Sequence, residues 1–476
     1  MRIMKTILGL MILLSKPFRP FGLSTVRMMN EGSKVTVAVI GGGAAGLSCA
    51  QRLGSSDKFL PTVFDTGRLR PGGRCASRLP NDIAKDKNEK YSYLSKTTID
   101  HAAQILTVPK GDGFLEFEKQ VQEWEKRGVI KRYPKGKVCD IVNPYDRDTK
   151  KYDKTKIQIR SIKGDMYYGF NGMQSIPQAI KKEGNFELQQ DVWISPSNGA
   201  KLVNSEGKKR WELKAKGQVL GQFDKLIIAH NGKCADRLMS SSPAKDLHRL
   251  LRVNFAPNVA KSGGKRMTLN SIYSLTFAVS ASDSSLSTAL PSDKVTCGFI
   301  KNHRNLTFLS CNTRKYGNSD NGDYEVWTVL SSAQFGKAHK GPQENLPEDL
   351  KETVKSILYE SIEEALVLPR GSLRGSAEDP AGSGCILESR VQLWGAAVPL
   401  NTWIPSEDIA QGFLYDGDYG VGTCGDWLLD SSLAGAWESG RRLAQFLIDT
   451  QDPKTVGLEG SFQAAQAVEK AGIGAL

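Results

Sequence analysis

Six small residues, Gly41-Gly42-Gly43-Ala44-Ala45-Gly46, follow directly on the apolar run Val35-Thr-Val-Ala-Val-Ile40. An Ala/Leu-rich stretch of helical character comes next, and then a second β run that closes Leu60-Pro-Thr-Val-Phe-Asp65. Such a spacing suits the holding of a pyrophosphate. Gly41 allows a tight turn off the strand, Gly43 lets backbone approach the phosphates, and Gly46 lets the helix pack on the sheet, with Ala45 small beside them. The helix N-terminus then faces the anion with its free N–H groups. At the end of the second strand, Asp65 stands where a carboxylate accepts both hydroxyls of an adenosine ribose. Glycines alone also describe an ordinary turn, but strand, turn, helix, strand and acid in this order describe a dinucleotide cradle.

Two further segments narrow the dinucleotide. Pro71-Gly72-Gly73-Arg74 follows soon after the acid, and near the other end of the chain Gly422-Thr-Cys-Gly425-Asp426 precedes Ser432-Leu433-Ala-Gly-Ala-Trp-Glu-Ser-Gly440. This three-part signature resembles the FAD-containing amine oxidase superfamily and, within it, the renalase-like branch. Asp100-His101-Ala102-Ala103-Gln104 is similar to the family's DHGAQ, and Gly169-Phe-Asn-Gly172-Met173, the run Trp327 to His339, and Cys424-Gly-Asp-Trp427 add to the likeness. It extends from about Val35 to about Leu447. Two positions depart from the family pattern: Ala102 stands for its usual Gly and Ile105 for its usual Tyr.

The resemblance implies a Rossmann-type FAD-binding domain, α/β in class, interleaved with an α+β substrate domain that carries an antiparallel sheet. Its cofactor would be non-covalent FAD, held by Gly41, Gly43, Ala45, Gly46, Asp65, Gly73, Arg74, Gln104, Val192, Gly425, Asp426 and Leu433. Arg74 would meet the pyrophosphate or ribityl, Asp426 a ribityl hydroxyl, the backbone of Leu433 the flavin N1/O2 edge, and the backbone of Val192 the adenine. Cys424 is read as a buried strand thiol, since family members with Cys-Gly-Asp hold FAD without a covalent link. For the substrate side the candidates are Asn312, Arg314 and Lys315 in a polar turn, together with His339 and Trp394. His101 is read as a structural histidine, because hydride transfer from a dihydropyridine needs no proton abstraction.

The activity implied is oxidation of a small hydride donor, such as a dihydronicotinamide isomer, with O₂ as electron acceptor. An amine oxidase or a plastid isoprenoid desaturase of the same fold is the alternative, and a non-catalytic flavin-binding assembly or regulatory protein is a third; fold alone does not choose among them. No clear aromatic pair suggests an amine cage. Ser-His-Asp, HExxH and Walker motifs are absent from the sequence.

The elements that position these residues follow from periodicity. Phe114, Phe117, Val121 and Trp124 recur at helical spacing and predict a core-facing helix, as do residues 173–182 and 347–366. Phe186 to Ile194, Trp211 to Ala215 and Phe223 to Ala229 read as a β-meander returning to the parallel sheet. Residues 272–279, 295–300, 306–311 and 325–330, with 389–399 and 412–415, read as further strands. The expected partition is a targeting peptide at 1–34, FAD-binding segments at 35–110, 186–240 and 385–450, substrate-domain segments at 111–185 and 241–384, and a tail at 451–476. Residues 81–98 form a polar insertion and 371–384 a Gly/Ser linker.

At 476 residues the chain has room for two domains. Net charge is +13, but the basic residues are dispersed rather than interleaved with aromatics, which argues against nucleic acid. A phosphate-bearing substrate remains a use for the excess. Eight cysteines without CxxC spacing read as reduced thiols, with neither a disulfide framework nor a metal site. Residues 1–30 lack Asp and Glu, carry five Lys or Arg, and hold the apolar run Ile7 to Leu14. This run is shorter than the roughly 20 residues of a transmembrane helix. It fits a leader for an organelle, plastid first, with mitochondrion or the secretory route as alternatives.

Overall fold

A six-stranded sheet supports the glycine turn. Its order across the sheet is Glu187–Gln189, Phe59–Phe64, Val35–Ile40, Lys225–Ile228, Val421–Cys424 and Phe413–Asp416. The first five strands are parallel and the last is antiparallel to its neighbour. Val35–Ile40 is central and buried on both faces, so its sequence is continuously apolar rather than alternating. In the computed structural model, residues 34–80, 82, 91–142, 145–146, 151–152, 157–282, 284–317, 323–343, 345–374 and 384–465 are described. The leader up to residue 33, half of the polar insertion and most of the Gly/Ser linker lie outside them.

The second sheet has seven strands in the order Gln158–Ser161, Val138–Val142, Cys297–Lys301, Leu306–Cys311, Tyr324–Ser331, Ile272–Ser280 and Ile386–Trp394. All its pairings are antiparallel except Val138–Val142 with Cys297–Lys301. Helix Glu348–Leu366 packs against it through Val354, Leu358 and Ile362. Both sheets belong to one compact unit beginning at Val35. This is the expected α/β class: a Rossmann-like layer with a separate, chiefly antiparallel sheet.

Two details differ from the sequence reading. The run Phe186 to Ile194 is not a meander strand: Glu187–Gln189 pairs in parallel with Phe59–Phe64, and the meander is Ala200–Ser205, Lys208–Ala215 and Gln218–Phe223. Its alternation is that of an edge strand, half-buried on one side. Ile386–Trp394 lies in the seven-stranded sheet, so the chain returns to the six-stranded sheet at Phe413, later than residue 385.

Helix Leu433–Asp449 lies close against helix Ala44–Gly54 because Gly440 has no side chain. A Cβ there would stand 1.9 Å from the carbonyl oxygen of Ala45. Ser48 Oγ donates to Trp437 O across the same contact at 2.6 Å. Phe117, Val121 and Trp124, all on helix Leu115–Lys126, are buried in this core, and Phe117 and Trp124 lie 5.5 and 6.4 Å from the Trp437 ring. Burial of such side chains contributes about 1.5–3 kcal/mol each.

Candidate functional site

The C-terminal ends of all five parallel strands open onto one cavity of about 780 Å³, within the size range of cofactor sites. Gly41 to Ala45 follow the central strand, and Asp65 and Thr66 follow the second. Val192 to Ile194 come after the edge strand, Ala229 to Gly232 after Lys225–Ile228, and Gly425 to Trp427 after Val421–Cys424. Ligands of doubly wound sheets bind at this edge, because crossover loops leave a crevice there.

The glycines of the turn do different jobs. A Cβ on Gly46 would lie 1.9 Å from Gly41 O, and one on Gly42 2.7 Å from the Asp65 carboxyl carbon, so both are required by the protein's own packing. Gly41 takes a φ of +116°, which only glycine adopts readily. Gly43 is unlike them: its φ is −78°, and a Cβ there would meet no protein atom within 4 Å. Space that the protein leaves open at the N-terminus of helix Ala44–Gly54 fits the approach of a phosphate.

Around this turn, Asp65 is nearly buried and accepts the Gly42 N–H at 3.3 Å. Burial raises its carboxyl above the usual range, against the pull of backbone N–H groups of Gly42, Gly67 and Thr66. Arg74 and Asp426 meet across the cavity at 2.6 Å, and Arg74 also donates to Ala397 O at 2.8 Å. Helix Leu433–Asp449 is capped by Ser432 Oγ, which accepts the Gly435 N–H at 3.1 Å, and Leu433 lines the cavity at its first turn. Cys424 lines the cavity as a buried thiol, pushed up by its Cys49 neighbour and by burial and therefore protonated.

Of the expected positions, Gly41, Gly43, Ala45, Asp65, Gly73, Arg74, Val192, Gly425, Asp426, Leu433 and Trp394 line the cavity, and Gly46 packs directly behind it. Gln104 does not: its Nε2 donates to Asp100 O and its Oε1 lies 3.3 Å from Lys315 Nζ. Asn312 and Lys315 also lie away from the cavity. They belong to a short buried helix, Asn312–Tyr316, rather than to a polar turn. Lys315 Nζ is 2.6 Å from Asp100 Oδ2, with neither side chain exposed, and Asn312 Oδ1 accepts the Asp100 N–H. Ser77, Met173 N–H and Tyr316 complete the shell around the Asp100 carboxylate. Arg314 is held by Glu325 and by the carbonyls of Leu290 and Val295. The His339 ring stacks on Phe335 at 4.2 Å, outside the cavity.

His101 packs edge-on against Trp394 at 5.6 Å, and Trp394 Nε1 donates to its carbonyl at 3.1 Å. Burial, with the charges of Arg78 and Arg390 against that of Asp100, lowers its pKa to about 3. The imidazole is thus neutral at physiological pH. His230 and Asn231 line the cavity without having been singled out by sequence. Their signal was available, since they follow the apolar strand Lys225–Ile228 at the sheet edge where ligands bind.

Comparison with known proteins agrees with this geometry. Residues 39–114 match the NAD(P)-binding Rossmann-like domain family. The chain is similar in structure to a protein from Exiguobacterium sp. 255-15 named as a candidate protoporphyrinogen oxidase. That match has TM-score 0.52 and 11% identity over 88% of this chain and 100% of that one. It is similar also to an oxidoreductase from Methanosarcina mazei, with TM-score 0.51 and 12% identity over 86% and 100%. At these identities the likeness is one of fold.

Proposed function

We propose that the chain is an FAD-dependent oxidoreductase of the renalase-like kind, taking a hydride from a small donor such as a dihydronicotinamide isomer and giving the electrons to O₂. The observation that carries this reading is the convergence of the glycine turn, Asp65, Arg74 and Asp426 on one cavity, with Gly43 left open towards it. Bound FAD would supply a two-electron acceptor, as flavins do. In this arrangement Asp65 would take the adenosine ribose, the N–H groups beside Gly43 the pyrophosphate, and Asp426, oriented by Arg74, a ribityl hydroxyl. The first turn of helix Leu433–Asp449, which lines the cavity, would present its dipole to the flavin's pyrimidine edge. Anaerobic mixing of the purified protein with dihydronicotinamide isomers, amines and carotenoids tests the reading, with flavin bleaching by a dihydronicotinamide as the expected result. Bleaching by an amine or a carotenoid alone would move the assignment to the alternatives of the same fold.

Replacing Asp426 by alanine removes a charge-assisted hydrogen bond, of the order of 1.5–3 kcal/mol, so FAD should bind roughly ten- to a hundredfold more weakly. Equilibrium dialysis of the folded variant checks this. His101→Ala, by contrast, should leave flavin reduction within about tenfold of wild type, since loss of a general base costs about 10²- to 10⁴-fold. The reduction rate should also show no titration of His101 near its ordinary pKa of about 6.5, because in the folded state the ring gains a proton only near pH 3. Stability behaves differently. Between those two values the unfolded chain binds the proton and the folded one does not, so stability falls as pH falls through that window, and His101→Gln should flatten the fall. Delivery to an organelle, plastid first, is the accompanying proposal for residues 1–34; a fluorescent fusion of about the first 35 residues tests it, and diffuse cytosolic signal would refute it.

A further inference from the structure

Lysines gather at the rim of the cavity: Lys233 opens the short helix Lys233–Met239, and Lys340 follows helix Ala333–Ala338, which carries Lys337. Lys233 and Lys340 both line it and are exposed. Their ammonium groups stand 5.7 and 4.5 Å from the centroid of a single ring, that of half-buried Phe255, another lining residue. Lys337 lies near enough for its charge, like that of Lys233, to act on Lys340, whose pKa is lowered by burial and by these two neighbours. None of the three has an ion-pair or hydrogen-bond partner among the described residues. The carboxylates that line the cavity are Asp65, which serves the glycine turn, and Asp426, which is paired with Arg74.

Like charges held together cost free energy that a bound anion returns. The neighbours of these lysines in the cavity wall, Asn231, Gln343 and Trp394, are hydrogen-bonding or aromatic groups without negative charge. Such a rim repels a cationic amine and attracts a phosphate, while Phe255 offers a face for an apolar or aromatic part of the same molecule. We propose that Lys233, Lys340 and Phe255 form the docking subsite for a phosphate-bearing electron donor, distinct from the Gly43 cradle that holds the cofactor's own pyrophosphate. The inference rests on the oxidoreductase reading above and adds to it the charge class of the substrate and the residues that select it.

The test uses the flavin-loaded protein and a redox-inert probe, ADP-ribose, titrated calorimetrically beside adenosine and 1,4-diaminobutane. Wild type should bind ADP-ribose more tightly than adenosine, with an affinity that falls as salt is raised. Lys233→Glu/Lys340→Glu should weaken ADP-ribose binding at least tenfold and strengthen diamine binding, whereas Lys233→Arg/Lys340→Arg should keep the wild-type order. Equal ADP-ribose affinity in the wild-type and glutamate proteins, both loaded with FAD, would overturn the subsite. FAD lost from the glutamate variant alone would also overturn it, by showing that the lysines hold the cofactor. A wild-type chain that retains no FAD at all would instead sink the oxidoreductase reading itself.

Discussion

Replacing Gly43 by leucine is expected to leave a folded but colourless protein. The reasoning is local. At Gly43 the backbone is in an ordinary extended conformation and a Cβ meets nothing within 4 Å, so neither strain nor a clash with the protein opposes a side chain there. The leucine instead fills the space in front of the N–H groups that begin helix Ala44–Gly54, where the pyrophosphate must come close. Loss of that approach should weaken FAD by at least about 10³-fold, or roughly 4 kcal/mol. Gly46→Val makes the contrast, because its Cβ would run into Gly41 O and the turn itself would fail. Circular dichroism and the flavin released by acid separate the two outcomes. Full flavin stoichiometry in Gly43→Leu would show that the cradle holds something else, or nothing.

That prediction was available from the residues because everything it needs is contiguous. A buried parallel strand, a glycine turn and a packed helix are encoded within Val35 to Gly54, where period, small residues and apolar content all point the same way. The helix carrying Phe117, Val121 and Trp124 was legible for the same reason, as was the C-terminal motif from Gly422 to Gly440. Edge strands were less so. Glu187–Gln189 is short, and its alternation suits a meander and a sheet edge equally; only its pairing with Phe59–Phe64 decides.

Asn312, Arg314 and Lys315 lie away from the cavity for a different reason. Asn312, Arg314 and Lys315 form a polar cluster after a strand, and polar clusters after strands are usually solvated turns. What buries this one is a set of partners distant in sequence. Asp100 waits for Lys315, Glu325 takes Arg314, and Thr328 takes the Asn312 amide. No local pattern announces such a meeting, since a buried lysine differs from a solvated one only in what the rest of the chain brings to it. The Gln104 side chain lies off the cavity by the same logic. Its segment does reach the cavity, through Ala103, whose N–H donates to Arg74 O at 3.0 Å, but its side chain turns inward to the ion pair.

Breaking that ion pair should therefore cost more than any surface change in this protein. Burial on its own would raise the Asp100 carboxyl; the adjacent Lys315 ammonium, with Ser77 and Tyr316, outweighs it and holds the group below its ordinary value. Lys315→Met removes the cation and leaves a buried charge with hydrogen bonds only, which typically costs about 3–5 kcal/mol. The sign of the pH dependence follows. In wild type the depressed carboxyl contributes stability above the unfolded-state pKa of about 3.9, and this is lost as pH falls through the lower folded value. In the variant, burial governs and Asp100 takes up a proton more readily, so the penalty seen at neutral pH should shrink as the solution is acidified. Adding Asp100→Asn to Lys315→Met should recover much of the loss, because a neutral amide keeps the hydrogen-bonding shape without the stranded charge. Urea denaturation of wild type, Lys315→Met, Asp100→Asn and the double variant at neutral and acid pH completes the cycle. A Lys315→Met penalty that is small, or that grows on acidification, would show that the lysine acts in the fold otherwise than as the partner of Asp100.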